Sequence, residues 1–329
     1  MLSSNKTISE EDKLKEKLIS LTQLNRNYVN FLKVSTSKNE YVHVTMIDNF
    51  TIKNKPNLVL FHGLTGTAFC YFKMFNELSE HFVVYAVDLP GQGLSSRIEY
   101  NYLDRDKAEE YFLSRFEILF QKLKLKRINL VSHSFSGYLA GLFYIKHPEL
   151  INRLIFLSPI GLCSSFKELN ICNAVEDFMQ TLAFKFKKAA NDGVKMFGVL
   201  SKPFFNKYCE RKKFKGLTDE EYETLKSLLY CLIQKEYSSD PSVYSLFDKS
   251  LKAFKPLSLY LDKFKLCEEI LIIYGDNDWC PAVNGEEFQR LVGDNKVKIE
   301  ILSNCNHMMQ TDNYEELNTK IINFLIKTE

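Results

Sequence analysis

The sequence predicts an α/β fold with a mostly parallel central sheet that is covered by helices on both faces. Short apolar segments alternate with segments of helical period, as is typical of buried parallel strands joined by helices. The alternation is interrupted once, by roughly one hundred residues of helical pattern between two apolar segments. We therefore expect a helical insertion between two parts of one sheet.

The periodicity places the expected elements in chain order. An N-cap serine, early acidic residues and helically spaced leucines predict a short amphipathic helix from Ser9 to Leu21. Strands are expected at residues 41–45, 57–62, 82–87, 127–131 and 153–157, with helices at residues 72–78, 106–123 and 137–145. After the interruption, strands at residues 270–274 and 297–302 precede a helix at residues 314–326.

These elements divide the chain into three units. We expect an N-terminal helical extension (residues 1–39), a core (residues 40–160 and 256–329) and a helical insertion after the sixth strand (residues 161–255). Within the insertion, Thr218 and Glu221 have the spacing of a capping box that starts a helix. An insertion at this place predicts a lid over the carboxyl ends of the strands, where open α/β sheets bind ligands.

Composition and charge exclude several classes of protein. The chain has 329 residues, of which 45% are hydrophobic and 26% charged, and its net charge of +2 gives no reason to expect nucleic acid as a partner. No apolar run approaches the ~20 residues of a membrane-spanning helix. Eight cysteines without a C-x-x-C pair predict free thiols, and six histidines without metal-binding spacing predict no metal site.

The N-terminus predicts an intracellular protein. Residues 1–6 lack the apolar core of a secretion signal, and the acidic run of residues 10–12 argues against a transit peptide. We expect a cytoplasmic location, or a peripheral one on an organelle membrane or lipid droplet, and no secretion. The sequence does not indicate an oligomeric state.

Ser134 lies where a buried strand breaks into a helix, within Leu130-Val131-Ser132-His133-Ser134-Phe135-Ser136-Gly137. A serine on such a turn projects its hydroxyl above the sheet as a nucleophile elbow does, which predicts hydrolysis through a covalent acyl-enzyme. The alternative is that Ser134 only caps the helix. Ser132 and Ser136 stand where the usual G-x-S-x-G pattern has glycine.

A serine nucleophile needs a base, a group that orients the base, and donors for the developing oxyanion. His307, after the last strand, is the expected base, and Asp278, after the preceding strand, is the expected acid. The order Ser, Asp, His is the one expected for this elbow. The backbone N–H groups of Leu64 and Phe135 are the expected oxyanion donors.

Other titratable residues are assigned smaller roles. Asp276 is the rival acid, although its place in a turn favours a solvated residue. We expect His62 and His133 to line the floor of the pocket. His43 has a surface-like context and is assigned no role.

Together these motifs resemble the α/β-hydrolase family. They are His62-Gly63-Leu64-Thr65-Gly66, Asp88-Leu89-Pro90-Gly91-Gln92-Gly93-Leu94-Ser95-Ser96, the Ser134 turn, Tyr274-Gly275-Asp276-Asn277-Asp278-Trp279 and His307. Within the family the chain most resembles the lysophospholipid and N-acyl-phosphatidylethanolamine lipases. The resemblance spans residues 40–329 and implies the α/β-hydrolase fold, no cofactor, and the same five site residues that the pattern indicates.

The resemblance also brings alternatives. One member of the subgroup has lost its serine and co-activates a triglyceride lipase. The H-x-x-x-x-D spacing of His307 and Asp312 is linked in relatives to lysophosphatidate acyltransferase activity, although Asp312 could equally be the N-cap of the last helix.

We therefore expect a serine lipase or esterase that cleaves a lysophospholipid-like or N-acyl-phospholipid-like acyl ester. The alternatives are a weakly active or non-catalytic protein that serves as a lipid-associated co-activator or complex subunit, and a lysophosphatidate acyltransferase. Residues 185–215 interleave basic and aromatic side chains, which predicts peripheral contact with an anionic lipid surface or lipid droplet. A solvated helix face with a buried aromatic stripe is the alternative interpretation.

Overall fold

The structure, a computed structural model, describes residues 8–101, 104–163, 201–212 and 214–326. Its centre is one eight-stranded sheet. The strands are β1 (Val29–Ser37), β2 (Glu40–Ile47), β3 (Asn57–Phe61), β4 (Val83–Val87), β5 (Ile128–His133), β6 (Ile151–Leu157), β7 (Ile270–Gly275) and β8 (Val297–Leu302).

The strand order is β1-β2-β4-β3-β5-β6-β7-β8. β2 runs antiparallel to both of its neighbours, and every other pair in the sheet is parallel. The carboxyl ends of β5, β7 and β8 therefore lie at one edge of the sheet, which is where such sheets bind ligands. The prediction of a mostly parallel sheet is confirmed.

Helices cover both faces of the sheet. Those described are α1 (Glu10–Ser20), α2 (Phe75–His81), α3 (Arg105–Lys122), α4 (Phe135–Lys146), α5 (Ser201–Lys212), α6 (Asp219–Ile233), α7 (Val243–Leu246), α8 (Leu261–Lys265), α9 (Val283–Val292), α10 (Met309–Asp312) and α11 (Tyr314–Leu325). One apolar core joins the sheet to α3, α4, α8 and α9, and a second joins it to α1, α2, α6 and α11. All six residues of β5 and of β7 are buried, since both faces of these strands pack against helices.

The expected N-terminal helical extension at residues 1–39 is only partly helical. It contains α1, but residues 29–37 form β1, which pairs with β2 from Val29↔Ile47 to Ser37↔Glu40. β1 is an edge strand, and several of its residues are exposed. The apolar residues of β1 therefore do not form the continuous run that predicts the central strands from sequence.

The described part of the insertion is helical and packs on the core. Thr218 and Glu221 form the predicted capping box at the start of α6. At the same end, Lys73 Nζ lies 2.6 Å from Glu221 Oε1. At the other end, Arg97 donates to the carbonyl oxygen of Leu232 at 3.2 Å and to that of Gly93 at 3.1 Å. α6 is thus fixed to the core at both of its ends.

Most of the basic and aromatic stretch at residues 185–215 lies outside the described residues, so its contact with lipid stays a prediction. Each helix in the described ranges is too short or too polar to cross a membrane.

Candidate active site

Ser134 occupies a strained turn between β5 and α4. Its φ of 57° and ψ of −119° are unusual for a residue with a side chain, and such a conformation costs on the order of 1–3 kcal/mol. The backbone holds it in place, because Ser134 N–H donates to the carbonyl oxygen of Leu157 at 2.8 Å. The hydroxyl is thereby directed out of the turn, as a nucleophile elbow requires.

The structure brings Ser134, His307 and Asp278 into one hydrogen-bonded chain. Ser134 Oγ lies 2.9 Å from His307 Nε2, and His307 Nδ1 lies 2.9 Å from Asp278 Oδ1. The side chains of His307 and Asp278 are 8% and 1% exposed, so water competes little with these bonds. In this arrangement His307 can take a proton from Ser134 while Asp278 fixes the imidazole tautomer.

The carboxylate of Asp278 is held ionised by its surroundings. Burial acts to raise its pKa, but His307, the hydroxyl of Ser158 and the backbone N–H of Cys280 outweigh burial and bring the pKa below its usual value. Ser158 donates to Asp278 Oδ2, and Cys280 N–H donates to Asp278 Oδ1 at 2.9 Å. An ionised Asp278 can stabilise the imidazolium that forms when His307 accepts a proton.

The loop with the predicted oxyanion donor Leu64 packs directly against the elbow. A β-carbon placed on Gly63 would lie 3.2 Å from Ser134 Cβ and 2.8 Å from His133 Nδ1, so only glycine permits this approach. Phe135, the second predicted donor, is the first residue of α4, where backbone N–H groups lack helical acceptors. Both predicted donors therefore lie beside Ser134.

His62 fixes the direction of the Leu64 N–H. His62 Nδ1 lies 2.7 Å from the carbonyl oxygen of Gly63, and its Nε2 accepts a hydrogen bond from Leu89 N–H at 2.9 Å. The carbonyl and the N–H of a trans peptide point in opposite directions. Holding the Gly63 oxygen towards His62 therefore directs the Leu64 N–H away from His62. Burial lowers the pKa of His62, which favours this neutral form.

The two serines that replace glycine in the elbow behave differently. Ser136 Oγ accepts from His133 N–H at 3.0 Å and lies 3.0 Å from the carbonyl oxygen of Phe61 and 2.9 Å from that of His133. Ser136 thus joins the elbow to the end of β3. Ser132 Oγ is buried and has no hydrogen-bond partner among the described residues.

Residues around His307 fix the loop that carries it. His133 Nε2 lies 2.8 Å from the carbonyl oxygen of His307, and the indole ring of Trp279 lies 4.3 Å from the His307 ring, centroid to centroid. Asp276, the rival acid, does not contact His307. Its carboxylate accepts from Asn304 N–H and Cys305 N–H, each at 2.9 Å, and so fixes the turn before His307.

Asp312 is not the N-cap of the last helix. Asn313 takes that place, since its side chain accepts from Glu316 N–H at the start of α11. Asp312 instead accepts from Asn306 N–H at 2.8 Å and from Lys215 N–H at 3.1 Å.

The assignment of His43 to the surface is wrong. His43 is 1% exposed, and its Nδ1 lies 2.8 Å from Asp88 Oδ2. Asp88 also accepts from the hydroxyl of Thr67 at 2.6 Å and from Ala68 N–H at 3.1 Å. This buried network supports the segment after the Leu64 loop. The pattern of residues along β2 does not reveal that His43 is buried, because both faces of the sheet are covered at this strand.

The alpha/beta hydrolase fold family model matches residues 56–314, which include Ser134, Asp278 and His307. The chain belongs to the alpha/beta hydrolase fold family. The candidate site lies at the carboxyl edge of the sheet, where open α/β sheets bind ligands.

Relatives of this chain include two proteins named 1-acylglycerol-3-phosphate O-acyltransferase. The one from Arabidopsis thaliana is 24% identical over 83% of this chain and 66% of its own length. The one from Homo sapiens is 24% identical over 84% of this chain and 79% of its own length. The chain thus spans about two thirds of the plant protein.

Solved structures share the fold at lower identity. The naproxen esterase, carboxylesterase NP, of Bacillus subtilis superimposes with a TM-score of 0.66 at 15% identity and covers 99% of both chains. A membrane phospholipase A superimposes with a TM-score of 0.67 at 18% identity, over 96% of this chain and 90% of its own. At these identities the match describes the fold.

Proposed function

We propose that this chain is a serine enzyme that cleaves a lipid acyl ester through an acyl-enzyme intermediate. One observation carries the proposal, namely the chain of 2.9 Å contacts from Ser134 Oγ to His307 and from His307 to Asp278. A serine hydroxyl becomes a strong nucleophile when an oriented imidazole accepts its proton.

The proposed reaction proceeds in two balanced halves. Ser134 Oγ attacks the ester carbonyl carbon, its proton passes to His307 Nε2, and the oxyanion binds the N–H groups of Leu64 and Phe135. The intermediate then expels the alcohol, which takes the proton from His307 and leaves the acyl group on Ser134. Water attacks this ester in the same way, releases the fatty acid and restores Ser134.

A second candidate function is acyl transfer to a lysophosphatidate. It differs only in the second half, where the hydroxyl of a 1-acylglycerol-3-phosphate replaces water as the acceptor. The names of the relatives in Arabidopsis thaliana and Homo sapiens favour it. Its products differ from those of hydrolysis, since transfer yields a diacylglycerol phosphate and hydrolysis yields free fatty acid.

The third candidate, a non-catalytic co-activator or complex subunit, has less support. The serines at positions 132 and 136 and the helix before the core favour it, but Ser136 contributes hydrogen bonds to the elbow. The geometry around Ser134 gives no reason for inactivity.

A fluorophosphonate probe tests the proposal, because it reacts readily with an activated serine and far more slowly with an ordinary one. We expect wild type to be labelled and Ser134→Ala to be unlabelled, with kcat on lipid esters lowered by about 10⁴–10⁶. Folded wild type that resists labelling would contradict the proposal. Chromatography of lipid products, with and without added 1-acylglycerol-3-phosphate, then separates hydrolysis from transfer.

A further inference from the structure

A single buried carboxylate links the helical insertion to the loop of the proposed base. Asp312 is 8% exposed, and each of its oxygens accepts one backbone N–H. Oδ2 binds Asn306, which directly precedes His307. Oδ1 binds Lys215, which belongs to the segment that leads into α6. Charge-assisted bonds of this kind are among the stronger hydrogen bonds in proteins.

Further contacts join the segment before α6 to the loop that carries His307 and to the residue before Asp312. Gly216 N–H donates to the carbonyl oxygen of Thr311 at 3.0 Å, and Lys215 Nζ donates to the carbonyl oxygen of Asn304 at 3.0 Å. A β-carbon on Gly216 would lie only 2.5 Å from the Thr311 oxygen. A residue with a side chain at position 216 therefore cannot dock without moving the segment. We call residues 214–217 and 303–307 with Asp312 the insertion joint.

The geometry leaves Asp312 no direct part in proton transfer. Both ring nitrogens of His307 already face partners, Ser134 and Asp278. Both oxygens of Asp312 are likewise occupied by backbone N–H groups. The hydrogen bonds of Asp312 therefore act on the position of the loop and not on either ring nitrogen of His307.

We propose that Asp312 is a positioning residue that couples the helical insertion to His307. It holds the peptide before His307 and the segment of the insertion that leads into α6 in one arrangement, so that displacement of this segment moves the imidazole away from Ser134. The inference rests on the proposed function, in which His307 is the base. It gives the His307–Asp312 spacing a mechanical role in place of a chemical one.

The coupling is tested from both sides of the joint in the whole 329-residue chain. Asp312→Ala removes both links, Asp312→Asn keeps one acceptor oxygen, and Gly216→Ala pushes the insertion away without changing Asp312 or His307. We expect fluorophosphonate labelling of Ser134 to slow about 10- to 100-fold in Asp312→Ala and Gly216→Ala, and less in Asp312→Asn, since a displacement of 1 Å can cost about 10²-fold. Glu223→Gln, exposed on α6, is the control and should label at the wild-type rate.

Hydrogen–deuterium exchange separates coupling from local damage. Gly216→Ala should speed exchange in residues 303–307 as well as in residues 214–217. Faster exchange confined to residues 214–217, with labelling at the wild-type rate, would overturn the inference. If wild type itself is not labelled, the proposed function fails, and exchange in residues 303–307 alone decides whether the joint is coupled.

Discussion

The hydroxyl group of Ser136 provides hydrogen bonds that glycine, the usual residue at its position in such elbows, lacks. It accepts from His133 N–H and reaches the carbonyl oxygen of Phe61 at the end of β3. Ser132, at the other usual glycine position, gains no such partner. Serine in place of glycine therefore stabilises the elbow at position 136 and costs free energy of folding at position 132.

Alanine substitutions should show this difference directly. Ser136→Ala removes the hydrogen bonds that Ser136 Oγ makes with His133 N–H and with the Phe61 carbonyl oxygen, each worth about 0.5–1.5 kcal/mol, and should lower the free energy of unfolding by about 1–3 kcal/mol. Ser132→Ala removes a buried, unpartnered hydroxyl and should leave stability unchanged or raise it by up to about 1 kcal/mol. Urea unfolding of the two variants measures both values. Equal losses in both would contradict the assignment.

Two neighbouring residues of α6 make ion pairs that differ in burial. Glu221 pairs with Lys73 at 2.6 Å with the carboxylate 4% exposed, and also closes the capping box. Glu220 pairs with Lys17 of α1 at 2.9 Å, but its side chain is 60% exposed. The buried pair of Glu221 therefore attaches the insertion to the core, whereas the exposed pair of Glu220 is a surface contact.

We expect Glu221→Ala to destabilise the protein by about 3 kcal/mol, because it leaves Lys73 partly buried without its counter-charge and removes a helix cap. Glu220→Ala, the matched control, should cost less than about 1 kcal/mol. Thermal unfolding followed by circular dichroism compares the two. A cost at position 220 equal to that at position 221 would show that the Lys73 contact does not fasten α6.

Elements of the core were predictable from sequence because their apolar residues form continuous runs, as in β5 and β7. The sequence did not reveal β1, whose edge position leaves it half exposed, or the 3₁₀ helix at Ala68–Met74 before α2. The three residues of the proposed catalytic chain were also predictable, since each follows a strand whose carboxyl end lies at the same edge of the sheet.

The supporting contacts of the site could not be predicted in this way. Ser158 and Asp278 are 120 residues apart, and Ser136 and Phe61 are 75 residues apart. Periodicity describes neighbours within one element and carries no signal for a hydroxyl that reaches across to another. Only the packed structure shows these partners.

The stability of the whole protein should respond to the ionisation of Asp240. Burial raises the pKa of Asp240 above 3.8, although Arg97 acts in the opposite direction. The folded state then binds this proton more tightly than the unfolded chain does. Lowering the pH through the raised pKa towards 3.8 therefore adds stability through Asp240, and the ionised carboxylate subtracts stability at neutral pH.

Asp240→Asn imitates the protonated carboxyl and should raise the melting temperature at pH 7. The gain should shrink as the pH falls from 7 towards 4, because wild type then takes up the proton itself to an increasing extent. Differential scanning calorimetry at both pH values measures the change, with the fully exposed Asp262→Asn as control. A gain that grows on acidification would contradict the direction of the shift.

The insertion between β6 and β7 also determines when, during synthesis of the chain, the residues of the proposed catalytic chain can meet. Ser134 and His307 are 173 residues apart, and the insertion must be synthesised before β7 can pair with β6. Contacts so distant in sequence form slowly, because a long loop must close first. A nascent or truncated chain that ends in the insertion carries the serine without its acid or base. Under the proposed function, such an incomplete chain has no activated serine.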